Sequence, residues 1–214
     1  NIFNKFKTYT SLNQLDRKIE KYLNYQNGFY IEIGANDGLN QSNTLFLEKK
    51  YDWRGLLVEP SEKFQLLIKN RNKINFFYNE ACCSFSNKSK IIEFVYSNLM
   101  TIPTNIDSDI NDINKHINKS KKFENNIYEF TKIGIPLNDL LLECNAPKII
   151  DFFSLDVEGA ELEILKGIDH EKFKFKYLLV EAKNFERMNN FLLSKGYYLI
   201  DKLSYHDFLY SYKA

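Results

Sequence analysis

Disulfide chemistry is the first thing this sequence cannot support. Its 214 residues hold three cysteines, Cys82, Cys83 and Cys144, an odd number that includes an adjacent pair. Such usage fits a reduced, cytoplasmic compartment better than a disulfide framework, and with three histidines it makes no zinc site. Excess charge is missing too: 29 basic residues face 28 acidic ones, a formal net charge of +1. A nucleic-acid binder needs a basic stripe to offset phosphates, so no nucleic-acid partner is expected. The short basic runs at 119–122 and 172–176 read as solvated faces. No apolar run approaches the roughly 20 residues of a membrane span, and no secretory signal is read at the start. What is present is 44% hydrophobic and 27% charged, enough for one good core and short for two. Residues 1–214 therefore read as a single domain. Its oligomeric state is not written in these patterns.

The most concentrated local signal is Phe29-Tyr30-Ile31-Glu32-Ile33-Gly34-Ala35-Asn36-Asp37-Gly38. A short apolar strand breaks into a glycine-bounded loop, and a helix follows from Leu45-Phe46-Leu47. Strand, Gly-rich turn and helix in that order form the nucleotide-binding corner of an α/β sheet. Gly34 would let the chain turn sharply, and Gly38 would let a ligand approach the backbone. The spacing is G-x-x-x-G, not the G-x-G-x-x-G of a nicotinamide dinucleotide site. Ser42-Asn43-Thr44 can cap the following helix or bind a carboxylate or phosphate.

Ahead of this corner, residues 11–26 read as an amphipathic helix, with Leu12, Leu15, Ile19 and Leu23 on one face. Either it only packs on the sheet, or Gln14 or Asp16 reaches the loop. After the corner, Leu56-Leu57-Val58 form a second strand ending in Glu59-Pro60, about 20 residues beyond the glycines. A carboxylate there can accept both hydroxyls of a ribose, which points to a nucleoside ligand. Ile74–Tyr78 reads as a third strand, and the loop after it would bring Ala81 and Cys82 beside the base. Residues 97–126 are polar, and Ile106, Ile110, Ile113 and Ile117 suggest a helix within a lid or acceptor-binding insertion. A buried strand then runs into Leu155-Asp156-Val157-Glu158-Gly159, placing two acids at its lip; acids grouped there are costly unless they bind something. Tyr177–Val180 is another strand ending in an acid, Glu181. Two short closing strands, 196–200 and 207–212, can only form an antiparallel hairpin.

Taken together, FYIEIGANDG (29–38), Ser42-Asn43-Thr44, Trp53-Arg54-Gly55, Val58-Glu59-Pro60 and DFFSLDVEGAELEILKG (151–167) resemble the FkbM-type S-adenosylmethionine-dependent methyltransferases. Gln14 and Asp16 resemble the Gln and Asp of that family's leading helix. The resemblance implies a Rossmann-like class I methyltransferase fold: an α/β, mostly parallel seven-stranded sheet with an antiparallel C-terminal hairpin and helices on both faces. It implies that Gly34, Ala35, Asn36, Asp37 and Gly38 hold the methionine part of S-adenosylmethionine, with Ser42 and Gln14 beside it. Glu32 would support the loop, Glu59 and Pro60 would meet the ribose, and Ala81 and Cys82 the adenine. The implied acceptor is a hydroxyl of a small molecule or glycan, often on a sugar.

Methyl transfer to oxygen is an in-line displacement that needs alignment and removal of one proton. Asp156 and Glu158 are the expected catalytic pair, with Asp156 also against the cofactor. Asp156 with Glu181 makes a candidate oxygen-ligand pair for Mg²⁺. His116 and His206 are rival bases, and His170 reads as surface. An N-methyltransferase and a non-catalytic cofactor-binding subunit remain the alternatives.

Overall fold

The computed structural model describes residues 7–213; residues 1–6 and 214 of the expected domain lie outside the described residues. The chain runs through α1 (Leu15–Leu23), β1 (Phe29–Ile33), α2 (Leu45–Tyr51), β2 (Arg54–Val58), α3 (Phe64–Asn70) and β3 (Phe76–Tyr78). Next come β4 (Ala81–Cys83), β5 (Ile91–Tyr96), β6 (Ile102–Pro103), α4 (Ile113–Ser120) and β7 (Tyr128–Pro136). The last third holds α5 (Leu137–Glu143), β8 (Ile149–Leu155), α6 (Glu161–Leu165), β9 (Lys174–Glu181) and α7 (Phe185–Ser194). It closes with β10 (Tyr197–Lys202) and β11 (Asp207–Tyr212).

Seven strands form the main sheet in the order β10-β11-β9-β8-β1-β2-β3. All neighbours are parallel except β11, which runs against both β9 and β10. Every residue of β1 is buried, as a central strand covered on two faces requires. Side-chain alternation divides the core. Ile31, Ile33, Val58 and Phe153 face α5, α6 and α7, while Tyr30, Leu57 and Phe152 face α1, α2 and Leu67 of α3. The expected helix-covered, mostly parallel sheet with a terminal hairpin is present. From β1 the chain winds outward to β2 and β3, and later returns to β8 on the other side. The carboxyl ends of β1 and β8 thus flank the point where strand order reverses, where a crevice opens in such sheets.

A second, four-stranded sheet (β4-β7-β5-β6) stands beside the first. Ala81–Cys83, read from sequence as a loop, is β4, paired with Gly134–Pro136. Three local corrections follow from backbone chemistry. The leading helix starts at Leu15 rather than at 11, because Asn13 and Gln14 take left-handed φ values of 53° and 57°. Ser11 and Asp16 cap each other there: Asp16 N–H donates to Ser11 Oγ (2.8 Å), and Asp16 Oδ2 accepts from Ser11 N–H (2.9 Å). Within 97–126, the helix covers only Ile113–Ser120, because Asp112 accepts from Lys115 N–H (2.9 Å) and fixes its start. Ile106 and Ile110 lie before it. His170 is buried, not surface: its Nε2–H donates to Leu165 O (2.9 Å), and the ring packs edge-on to Phe175, Phe191 and Tyr197. Burial lowers its pKa, so the imidazole is held neutral.

Candidate active site

The glycine loop leaves β1 in a single sharp turn. Gly34 adopts φ +82°, and a Cβ there would stand 2.0 Å from the carbonyl oxygen of Asp156. Both needs, a left-handed backbone and contact with β8, exclude any side chain. Gly34 N–H and Ala35 N–H donate to Val58 O at 3.1 Å, tying the loop to the end of β2. Asp37 closes the turn by accepting from Leu39 N–H (2.9 Å) and Asn40 N–H (2.7 Å). Gly38, with φ +76°, lies against Arg71 and Leu67, where a Cβ would stand 2.7 Å from each. It serves packing of the loop on α3 rather than the approach of a ligand.

One cavity of about 890 Å³ runs along the carboxyl ends of β1, β2, β8 and β9. Gly34, Ala35, Asn36, Ser42, Glu59, Pro60, Ala81 and Cys82 line it, as does the acidic trio Asp156, Glu158 and Glu181. Glu32 also reaches its wall. Gln14, Asp16, Asp37 and Gly38 do not line it; Gln14 is exposed, and Asp16 is spent on the turn before α1. Both rival histidines border the cavity, His116 with Nε2 at 3.0 Å from Met100 O. From the insertion, Ile106, Ile110, Lys119 and Phe123 form part of the wall. This segment is fastened beside the acids: Asp109 N–H donates to Gly159 O (2.8 Å), and Arg187 pairs with Asp107 and with Asp109 (2.7 Å).

Past the end of β2, Glu59 is fixed by two backbone donors, one to each oxygen: Asn36 N–H to Oε2 (2.8 Å) and Ser61 N–H to Oε1 (2.9 Å). Burial raises its pKa, while the bonds from Ser61 and Asn36 oppose that shift. Each oxygen keeps a second lone pair, so a carboxylate held this way can still accept a diol. Glu32 has no such freedom. Its oxygens accept from Ser42 Oγ (3.0 Å), Asn43 N–H (2.9 Å), Thr44 Oγ1 (2.6 Å) and Arg71 Nη1 (3.0 Å). It braces the loop from beneath. Arg71, unremarked in the sequence, is buried at the centre of this network and also bonds Tyr30, Glu48 and Thr44.

Asn43 provides a test of ligand chemistry. Its amide donates to Ser154 Oγ (3.1 Å), yet its buried Oδ1 has no partner among the described residues, and it lines the cavity. An orphaned acceptor beside the glycine loop fits a ligand that brings an ammonium group, as the methionine part of S-adenosylmethionine does. Near β4, Ala81 and Cys82 are buried, and burial raises the Cys82 thiol far above its usual range. They form an inert, narrow wall of the kind an adenine ring can lie against.

At the ends of β8 and β9, Asp156, Glu158 and Glu181 each offer an oxygen within 4.8 Å of one another. Asp156 keeps an exposed face, yet desolvation by the residues around it, then Glu181, Glu158 and Glu161, raise its pKa above the ordinary carboxylate value. Glu158 sits at φ +54°, uncommon outside glycine, and its pKa is also raised, by burial and then by Glu181. Glu161 lies behind them, holding the turn through Val157 N–H and Gly159 N–H (both 3.0 Å); burial pushes it up to about 8. The sequence reading missed Lys183. Its ammonium lies 2.6 Å from Glu181 Oε1 and 3.6 Å from Glu158 Oε2 and borders the cavity. Alternation along an extended chain puts i and i+2 on one side, which is the signal that could have linked Lys183 to Glu181. The oxygen donors suit a hard cation, but this ammonium already contacts two of the three acids. A Mg²⁺ sharing those oxygens would stand against a positive charge, so the site does not fit Mg²⁺ as a resident ion.

A family model described as the Methyltransferase FkbM domain matches residues 32–199. Among solved structures, an FkbM methyltransferase from Methylobacillus flagellatus KT superposes with a TM-score of 0.51 at 16% identity, covering 88% of this chain and 44% of that one. M. capricolum TrmK, determined with S-adenosyl-homocysteine, gives 0.43 at 12% identity over 91% of this chain and 66% of its own. Precorrin-6y C5,15-methyltransferase from Geobacter metallireducens GS-15 gives 0.46 at 11% identity over 96% and 94%. The chain thus spans under half of the FkbM structure's length and about two thirds of TrmK's. A search of curated protein sequences gives no match. The glycine loop, the end of β2 and the strand-end acids all fall within the matched span, and the chain belongs to the FkbM methyltransferase domain family.

Proposed function

We propose that this chain transfers a methyl group from S-adenosylmethionine to a hydroxyl oxygen, on a sugar of a glycan, polysaccharide or glycosylated metabolite. The observation that carries the reading is one continuous cavity. It joins a donor end built for a nucleoside and an ammonium, Glu59 with Asn43, to an acidic acceptor end, Asp156 with Glu181. Its volume of about 890 Å³ lies in the upper part of the range of ligand pockets, roughly 300–1,000 Å³, room for donor and acceptor together.

The bound donor supplies an activated methyl carbon on a sulfonium. The protein's part is to align and to take a proton. Glu59 and the Gly34–Asn36 turn would fix the donor by its two ends. Asp156, its pKa raised by desolvation and by the acids around it, would accept the hydroxyl proton as the oxygen attacks. Lys183 is ruled out as that base: burial alone would lower its pKa, but Glu181 and Glu158 overcome this and keep it protonated. Because Lys183 contacts Glu181 and Glu158, Mg²⁺ plays no part in this reading.

The test has two stages. S-adenosylmethionine and its demethylated product should raise the melting temperature, and NAD should not; the reverse would refute the donor. A screen with labelled donor over nucleotide sugars, glycosides and glycan fragments then identifies the acceptor. On that acceptor Asp156→Asn should lose turnover while still binding S-adenosylhomocysteine. Full activity of Asp156→Asn would sink the catalytic assignment. Transfer to amines alone would favour N-methylation, and binding without transfer a non-catalytic subunit.

A further inference from the structure

We infer that Lys183 is the resident cation of the acceptor-side acids, holding Glu181 and Glu158 in the place a divalent ion would take. The inference rests on the acceptor reading above, because it concerns how Asp156 and its neighbours meet a hydroxyl.

Asp156, Glu158 and Glu181 crowd their oxygens within 4.8 Å at the end of β8 and β9. Three carboxylates this close repel one another strongly unless a cation intervenes or protons are taken up. Lys183 is that cation by position. Its Nζ bonds Glu181 Oε1 at 2.6 Å, stands 3.6 Å from Glu158 Oε2, and borders the cavity. The backbone at its root is anchored. Ala182, between Glu181 and Lys183, is buried, and its N–H donates to His206 O at 2.8 Å, tying the end of β9 to the closing hairpin. Moving the Lys183 side chain away would leave Glu181 and Glu158 without their cationic partner.

An ammonium and a magnesium ion do different work at one place. Lys183 is a single charge with three donors and makes no demand for octahedral oxygens. It can offset the charge of Glu181 and Glu158 and leave Asp156 free to take the acceptor proton. Lys183 is a positioning residue, acting through the two acids rather than on the methyl group.

Removing its charge should turn the cluster into a metal site. Mn²⁺ binding, read by electron paramagnetic resonance, is compared for wild type, Lys183→Arg, Lys183→Met and Lys183→Met combined with Glu181→Gln. S-adenosylhomocysteine affinity is measured on each by calorimetry. Lys183→Met should bind Mn²⁺ at least about tenfold more tightly than wild type, since a unit charge in contact with two ligands is gone. Lys183→Arg should behave as wild type, and Glu181→Gln should cancel the gain. Wild type binding Mn²⁺ as tightly as Lys183→Met, or no gain in Lys183→Met, would overturn the inference. Should Lys183→Met fail to fold, Lys183→Gln carries the same comparison with the same expected gain. Wild type failing to bind S-adenosylhomocysteine would instead sink the methyl-donor reading, with the Mn²⁺ comparison still readable.

Discussion

Replacing Glu59 by Gln is the sharpest test of the donor end, because the structure isolates what changes. The side chain keeps its shape and loses one charge. Glu59 accepts one backbone N–H on each oxygen, from Asn36 at 2.8 Å and from Ser61 at 2.9 Å. In the Gln variant one of these N–H groups must face an NH₂, so a charge-assisted bond is lost and two donors confront each other. A bound ribose loses a charged acceptor at the same time. Hydrogen bonds to charged groups contribute about 1.5–3 kcal/mol each, so one such loss weakens affinity by about 10- to 150-fold. The loss should be equal for S-adenosylmethionine, S-adenosylhomocysteine and adenosine, because all three share the ribose. Isothermal titration calorimetry reads each constant directly. Acid gives a second arm. Burial raises the Glu59 pKa, so wild-type affinity should fall on acidification, starting above the ordinary carboxylate range, while Glu59→Gln stays flat. A change of under about threefold in all three constants would refute the ribose assignment, since that is below the weakest charged bond considered.

The remaining expectations concern stability. Folded Glu161 titrates at about 8 against an ordinary value of 4.5, so between them the folded chain keeps a proton that the unfolded chain has lost. Stability must therefore fall as pH rises through that window, by about 1.4 kcal/mol per unit where the difference is complete. Glu161→Gln keeps an acceptor for Val157 and Gly159 N–H and should flatten that decline; urea titrations from about pH 5 to about pH 8 with identical slopes would contradict this. Arg71→Met leaves Glu32 and Glu48 buried without their cation and should cost about 3–5 kcal/mol in urea unfolding. Arg71→Lys should recover only part of it, because a point charge cannot serve Glu32, Glu48, Tyr30 and Thr44 together. A cost under about 1 kcal/mol for Arg71→Met would mean the network is no more than a surface pair.

What could be read in advance was whatever is encoded locally. Phe29–Ile33 is buried throughout, Glu32 included, because both sheet faces are covered, and Gly34 marks a turn that no side chain can enter. The end of β2 and the lip of β8 were legible for the same reason: strand, turn and acid stand within a few residues. The second sheet was harder, because Ala81–Cys83 and Ile102–Pro103 are too short to show a period and exist only through pairing with β7 and β5. Arg71 shows the limit more sharply. Within Asn70-Arg71-Asn72-Lys73 it looks like a solvated charge, and only Glu32 and Glu48, 39 and 23 residues away, bring it into the core. Gly38 shows the converse, a residue rightly noticed for the wrong reason: its missing side chain makes room for Arg71, not for a ligand. Lys183 extends the lesson to chemistry. Acids at a strand end were expected to need a ligand, and the compensation comes instead from two residues further along the same chain. Counting charges near a site identifies a demand for a cation. Geometry decides whether the protein meets it from within.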